Sequence, residues 1–552
     1  MRPTNMKNLF VKTGLILALM AAMVSLAPTA PAAAPGITGP TFNLTAQPAF
    51  LTQPDGQSIY SWGYGCSSAP IGFAPTMPGQ TCPTMQVPGP TLIVTEGQTV
   101  IINLTNGLPT SAGNTSILFP GFNVTSTGGV IGLMAQEAAP GGSVTYTFTA
   151  STPGTHSYYS GTQSDLQIEM GLYGAIIVVP SSNQPACTGG LHALNVQAET
   201  FWGETDFRLA TSAYDHPKTC YDREYLFQFS EMDPRIHGQA LAQVTAKGAC
   251  AAGTPGCSLN VPTEPYHPAY FMINGRSMPD DMDPNYASEY PHQPYNGNPH
   301  MHPGEQVLLR IIGQGRWQHP FHEHGNHVRI LARDGNLILS ATDSNSLAGP
   351  PLFTTTTTPG LAMDGIFYYT GRGLNWDMYG HNPASSDASA KLSCVADANG
   401  YNTGGLAYQQ INFWEWCQDH NKPMQAAPFG DVAGGGPVTL PDPNIFANGP
   451  WYGGSPYLGP DATVRATGCF TGAQGNGPNT PPTSPAAGMP CGQTGSTPPS
   501  GTIANPPGTE AGFAFMWHSH NEREITTNNA FPGGMLMMML VDSREFQINE
   551  AN

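Results

Sequence analysis

Short runs of β-branched and aromatic residues punctuate the chain and predict strands. Thr91-Leu92-Ile93-Val94 and Thr99-Val100-Ile101-Ile102-Asn103-Leu104 flank a Glu96-Gly97 turn. Val144-Thr145-Tyr146-Thr147-Phe148 alternates at a period of two, as a half-buried strand does, and Gly174-Ala175-Ile176-Ile177-Val178-Val179 is apolar enough for a fully buried one. These runs place one β-domain at residues 42–180, closed by a linker from Pro180-Ser181-Ser182. Further strands are expected at 225–229, 270–274, 306–312, 328–331, 513–517 and 535–541, giving a second domain over 190–545. The texture changes at about 383–510, where Gly, Pro, Asn, Ser and Thr dominate; a structureless stretch that long reads as a disulfide-pinned insertion. A three-domain count results if residues 190–290 close as a sandwich of their own.

Composition agrees with short strands and many turns: 65 Gly and 54 Pro among 552 residues, with only 10% charged. The formal charge of -18 argues against nucleic acid as a partner. Residues 1–34 resemble an export signal, with Arg2, Lys7 and Lys12 before the apolar run 13–27 and an Ala30-Pro31-Ala32 pattern after it. The competing reading is a membrane anchor, for which that run is short. The expectation is an exported protein, periplasmic or extracellular, with no stable membrane insertion. Ten cysteines in such a chain imply disulfides, and sequence proximity suggests Cys66–Cys82, Cys187–Cys220, Cys250–Cys257, Cys394–Cys417 and Cys469–Cys491.

Two of the chain's histidine groups have strand spacing. His319-Pro320-Phe321-His322-Glu323-His324-Gly325 is one and His518-Ser519-His520 the other. Residues two apart in a strand share a face, so His322 pairs with His324 and His518 with His520. Brought together, the two strands would converge four imidazoles, a donor set suited to Cu, Zn, Fe or Ni. The bland alternative is four hydrogen-bonded strand histidines.

The motifs around them resemble those of the multicopper oxidases. HPFHEHG is similar to that family's HPxHxHG, and MWHSHNE followed by Gly533-Gly534-Met535 is similar to its HCHxxxH…GM. Gln86-Val87-Pro88-Gly89-Pro90-Thr91 with Glu96-Gly97-Gln98, Pro153-Gly154-Thr155 through Gly171-Leu172-Tyr173-Gly174, and Pro303-Gly304-Glu305 resemble its flanking segments. The resemblance implies an all-β fold of tandem cupredoxin Greek-key β-sandwiches. It implies copper at His322, His324, His518 and His520, with His319 at the type 1 histidine position.

Departures from the family pattern are as informative. Leu118-Phe119-Pro120-Gly121 and Tyr159-Ser160-Gly161 stand where the family carries its first-domain histidine motifs. Ser519 takes the place of the type 1 cysteine, and Glu524 that of the second type 1 histidine. A hydroxyl cannot replace the thiolate of a blue copper site. The expectation is therefore a copper oxidoreductase with a reduced, histidine-only centre of one or two ions, type 2- or type 3-like. A small molecule or metal ion would be its substrate and a homo-oligomer its assembly. The alternative is a non-catalytic copper-binding or structural protein.

Lesser candidates have plain readings. Glu522 and Glu524 are carboxylates near the cluster or members of a solvated loop. Glu323 points away from the histidine face of a regular strand. Glu169 lies near where the family keeps a carboxylate. His300-Met301-His302 is a loop motif of low specificity, and His327 is a partner for His319 in a weak site. Met535 with Met537-Met538-Met539 reads as a buried strand filled with adaptable side chains.

Overall fold

The computed structural model describes residues 34–370 except 78, together with 394–410, 413, 414, 417, 454–457, 512–542, 544, 547 and 548. The expected export signal, most of the 383–510 stretch and the Cys469–Cys491 pair lie outside these residues. Among the described residues, no helix is long and apolar enough to cross a membrane.

The molecule is built from β-sheets, and the strands stand where the apolar runs place them. In the first sandwich, Gly154–Tyr159, Tyr173–Val179, Leu92–Thr95, Gly36–Thr38 and Gly72–Ala74 form one sheet in that order. Ser58–Cys66, Thr41–Thr52, Thr99–Asn106, Ser143–Thr149 and Thr125–Gly128 form the other. Alternation decides which side chains fill the space between them: Val144, Tyr146 and Phe148 point inward to join Trp62, Ile102 and Leu104. Each such side chain contributes about 1.5–3 kcal/mol by leaving water.

The second sandwich repeats the plan. One sheet runs Tyr270–Ile273, Arg223–Met232, Gln306–Gly313, Ala362–Tyr368, Val328–Arg333, Asn336–Leu337. The facing sheet runs His300–Met301, Leu536–Asp542, Gly512–Ser519, His319–Glu323, Thr354–Thr357. Phe227, Phe321, Trp517, Met537 and Met539 pack between them. The methionine run is thus core filling.

The two sandwiches are in direct contact. Ala175 and Ile177 of the first pack on Leu226, Ile312 and Ala362 of the second. Buried polar groups fix the register: Thr155 donates to Asp364 through its N–H at 3.1 Å and its hydroxyl at 2.6 Å, and Ser157 Oγ donates to Gln314 Oε1 at 3.0 Å. The contact uses the sheet that does not carry the histidine motifs.

The strand-dominated reading of 190–380 omitted two helices, Gly190–Trp202 and Pro234–Lys247. The second has a clear local cause. Asp233 caps it by accepting from Arg235 N at 2.9 Å, and Pro234 supplies a helical φ at the first position. Among the described residues, four disulfides join the expected partners: Cys66–Cys82, Cys187–Cys220, Cys250–Cys257 and Cys394–Cys417.

Candidate metal centre

The two H-x-H motifs lie on adjacent antiparallel strands, in a register that sets His322 opposite His518. Side chains facing each other across such a pair have Cβ atoms about 4.5–5.5 Å apart. His324 and His520 follow the last residues of their strands and extend the same face. Gly325 turns the chain at φ +103°, over Phe515, whose ring a Cβ would meet at 2.9 Å. Trp517 Nε1 donates to His324 O at 2.9 Å, and His520 N donates to Pro320 O at 2.8 Å.

Four imidazoles therefore crowd together. Ring centroids are 4.7 Å apart for His322–His324, 5.6 Å for His322–His518, 5.0 Å for His322–His520, 5.3 Å for His324–His518 and 5.5 Å for His518–His520. Nε2 of His518 lies 3.3 Å from Nε2 of His324. Four nitrogens each about 2.0 Å from one ion in a tetrahedron stand about 3.3 Å apart, so this spacing suits a shared metal. Among the described residues, no three His, Cys, Asp or Glu are already closed around a metal position. One nitrogen pair thus has the spacing of two ligands on one ion, and His520, 53% exposed, is the ring with most room to turn toward it.

The far nitrogens are anchored. His518 Nδ1 lies 2.7 Å from Ser519 O, an acceptor that fixes the proton on Nδ1 and leaves Nε2 as the basic edge. His322 Nδ1 lies 2.8 Å from Thr354 Oγ1. Electrostatics keep these two rings neutral. Burial, followed by the neighbouring His324, His518 and His520, lowers His322 to about 4. Burial lowers His518 as well, against the opposing bond to Ser519. Neutral imidazole is the form that binds metal.

His319 is not part of this group. It is fully buried, with Nε2 2.9 Å from Glu231 Oε2 and Nδ1 2.8 Å from Glu524 Oε2. Burial opposes its charge, but the hydrogen bonds to Glu231 and Glu524 prevail and raise it to about 9. It is an imidazolium between two carboxylates, and as placed neither nitrogen is offered to a metal. Glu231 is further held by the N–H groups of Arg316 at 2.6 Å and Trp317 at 2.9 Å. A Cβ at Gly315 would lie 2.1 Å from Glu231 Oε2, so glycine there makes room for the carboxylate. Ser519 Oγ donates to Glu524 Oε2. The solvated-loop reading of Glu524 is corrected: it is 1% exposed, whereas Glu522 is exposed, 3.8 Å from His520 Nδ1.

The remaining candidates are scattered. Glu169 accepts from Tyr266 at 2.7 Å and Asp233 N at 2.7 Å. His300 and His302 are buried rather than on a surface loop: His300 Nδ1 lies 2.9 Å from Asp542 Oδ2, and His302 Nε2 lies 2.6 Å from Glu204 Oε1. His327 packs edge-on to Phe353. Glu323 points into the core as alternation requires; burial pushes it up to about 8, and Thr355 Oγ1 donates to it at 2.6 Å. Sequence reasoning missed Glu231 and Thr354, since each comes from a distant segment with no motif of its own.

The first sandwich contributes none of the four rings. Leu118 bridges to Tyr159, joining the two segments that depart from the resembled motifs, and Phe119 is buried against Tyr146, Phe148 and Tyr158.

Two β-sandwiches in tandem, one carrying a four-histidine cluster, are the architecture into which the comparisons with known proteins fit. Residues 81–183 match the multicopper oxidase family model. Laccase abr2 of Aspergillus fumigatus is 39% identical over 102 residues, 18% of this chain and 16% of that protein. Multicopper oxidase MCE of Talaromyces pinophilus is 39% identical over 103 residues, again 18% and 16%. The chain thus spans about a sixth of these relatives' length, and the family-model match falls on the first sandwich. Among solved structures, the multicopper oxidase mgLAC is 16% identical with a TM-score of 0.42, covering 91% of this chain and 86% of its own. The blue copper oxidase from Nitrosomonas europaea is 14% identical with a TM-score of 0.42, covering 91% and 85%. Residues 81–183 are thus similar to a multicopper oxidase domain.

Proposed function

We propose that this chain is a copper-binding oxidoreductase whose centre is made of imidazoles alone, from His322, His324, His518 and His520, with no blue copper site. The observation that carries the reading is the clustering of these rings at 4.7–5.6 Å, with two Nε2 atoms 3.3 Å apart. Copper held by imidazole would supply one-electron redox chemistry. The chain's own groups do the rest. Ser519 O and Thr354 orient the basic edges of His518 and His322, burial keeps those two rings neutral, and the exposed side at His520 admits a small molecule or metal ion. One or two ions fit four donors. The protein works outside the cytoplasm, periplasmic or extracellular, in keeping with the four disulfides among the described residues. A homo-oligomer is the assembly that belongs to this reading.

A second reading, copper binding without turnover, draws support from that open side: His520 is 53% exposed, and enclosure from water is what sharpens most redox sites. Metal analysis with electron paramagnetic resonance, followed by oxygen uptake with a reducing substrate, separates the two. One or two coppers per chain and uptake abolished by His520→Ala support the oxidoreductase. Bound copper with no uptake supports the second reading. No copper after loading removes both.

A further inference from the structure

We propose that the buried chain Glu231–His319–Glu524–Ser519 is a positioning device that holds His518 and His520 toward His322 and His324. The proposal rests on reading the four imidazoles as a copper site and adds what sets their spacing.

Ser519 lies between the two histidines and, by alternation, projects from the opposite face of the strand. Its hydroxyl donates to Glu524 Oε2, and the same oxygen lies 2.8 Å from His319 Nδ1. His319 is held in turn by Glu231, which the backbone N–H groups of Arg316 and Trp317 fix in place. The chain thus runs from the Arg223–Met232 strand, through the His319–Glu323 strand, to the back of the Gly512–Ser519 strand. The turn beyond Ser519 belongs to it. Asn521 Nδ2 donates to Glu524 Oε1 at 2.8 Å, Glu524 N donates to Asn521 O at 2.8 Å, and Met535 N donates to Glu524 O at 2.8 Å. A Cβ at Gly534 would lie 2.1 Å from Glu524 O, so this turn is packed tightly from outside as well. His520 sits in the turn with its side chain in solvent, and its placement comes from this scaffold behind it.

Truncating Glu524 should free the turn while leaving the apolar core intact, and a glutamine should preserve the acceptor toward Ser519. Partners that orient metal ligands typically change affinity by about 10–100-fold when removed. The test compares wild type, Glu524→Ala and Glu524→Gln of the full chain by two measurements. The first is amide hydrogen exchange of the metal-free protein. The second is copper affinity by chelator competition, with the paramagnetic resonance spectrum of the bound ion. The expected result is exchange at 519–524 and the copper Kd both raised about tenfold or more in Glu524→Ala, an altered copper spectrum, and a smaller change in Glu524→Gln, which keeps the acceptor toward Ser519 but removes one of the two charges facing His319. Unchanged exchange in Glu524→Ala overturns the proposal whether or not copper binds. Raised exchange with unchanged affinity and spectrum also overturns it. Failure of the wild type to bind copper is a separate result: it removes the proposed function and, with it, this role.

Discussion

Replacing His319 with glutamine removes a cation from between two buried carboxylates, and the size of the effect follows from the structure. Taking one partner from a buried ion pair costs about 3–5 kcal/mol. Glu231 keeps the backbone donors of Arg316 and Trp317, and Glu524 keeps Ser519 and Asn521, which argues for the lower end. Protonation gives an independent figure. His319 is raised from 6.5 to about 9, and that gap at 1.36 kcal/mol per unit is about 3 kcal/mol. Because the folded value is the higher one, this stability is fully present below about pH 6.5 and fades as pH climbs through about 9. Urea unfolding with the disulfides intact, followed by tryptophan fluorescence, should show wild type more stable than His319→Gln by about 3 kcal/mol near pH 6. The gap should narrow at about pH 9 and above. A gap under about 1 kcal/mol at pH 6, or one that does not change with pH, would refute the imidazolium assignment.

Glu323 gives the opposite pH signature in a variant. Its folded value of about 8 lies above the ordinary 4.5, so wild type loses up to about 5 kcal/mol as pH rises between them, and Glu323→Gln should gain on wild type over that window in urea midpoints. His322→Ala should weaken copper binding about tenfold or more in a competition assay, while His300→Ala, whose ring is tied to Asp542, should not change it. Copper-loaded protein should lack the intense visible band of a copper thiolate, because Ser519 supplies no sulfur; a blue product would contradict the assignment. Removing Cys66–Cys82 as a double serine variant should cost about 3 kcal/mol by opening a loop of 16 residues, read as a lower unfolding midpoint.

The sequence made the sandwiches legible because strand periodicity is local. Ser143–Thr149 and Gln306–Gly313 are visible in their own residues. The H-x-H spacing likewise gave the shared face of His322 and His324. Two things were hidden, each for a physical reason. The helix Pro234–Lys247 follows a strand-rich run and is specified by a cap at Asp233, a short signal among many turns. The environment of His319 depends on Glu231, 88 residues away in the chain, and on a glutamate whose burial is set by tertiary packing. A charged residue in a loop motif reads as solvated until the fold shows what covers it.

All four rings of the cluster hang from two neighbouring strands of one sheet, and the sandwich-to-sandwich contact uses the other sheet. Hinging between the two halves would therefore reach the imidazoles only through the buried chain behind them, at Glu231, which shares the Tyr266 hydroxyl with Glu169 of the first sandwich. A probe bound there would monitor the pairing of these two strands together with the buried chain behind them. The same modularity means that a change confined to these two strands could create or erase the cluster without renegotiating the interface between the halves.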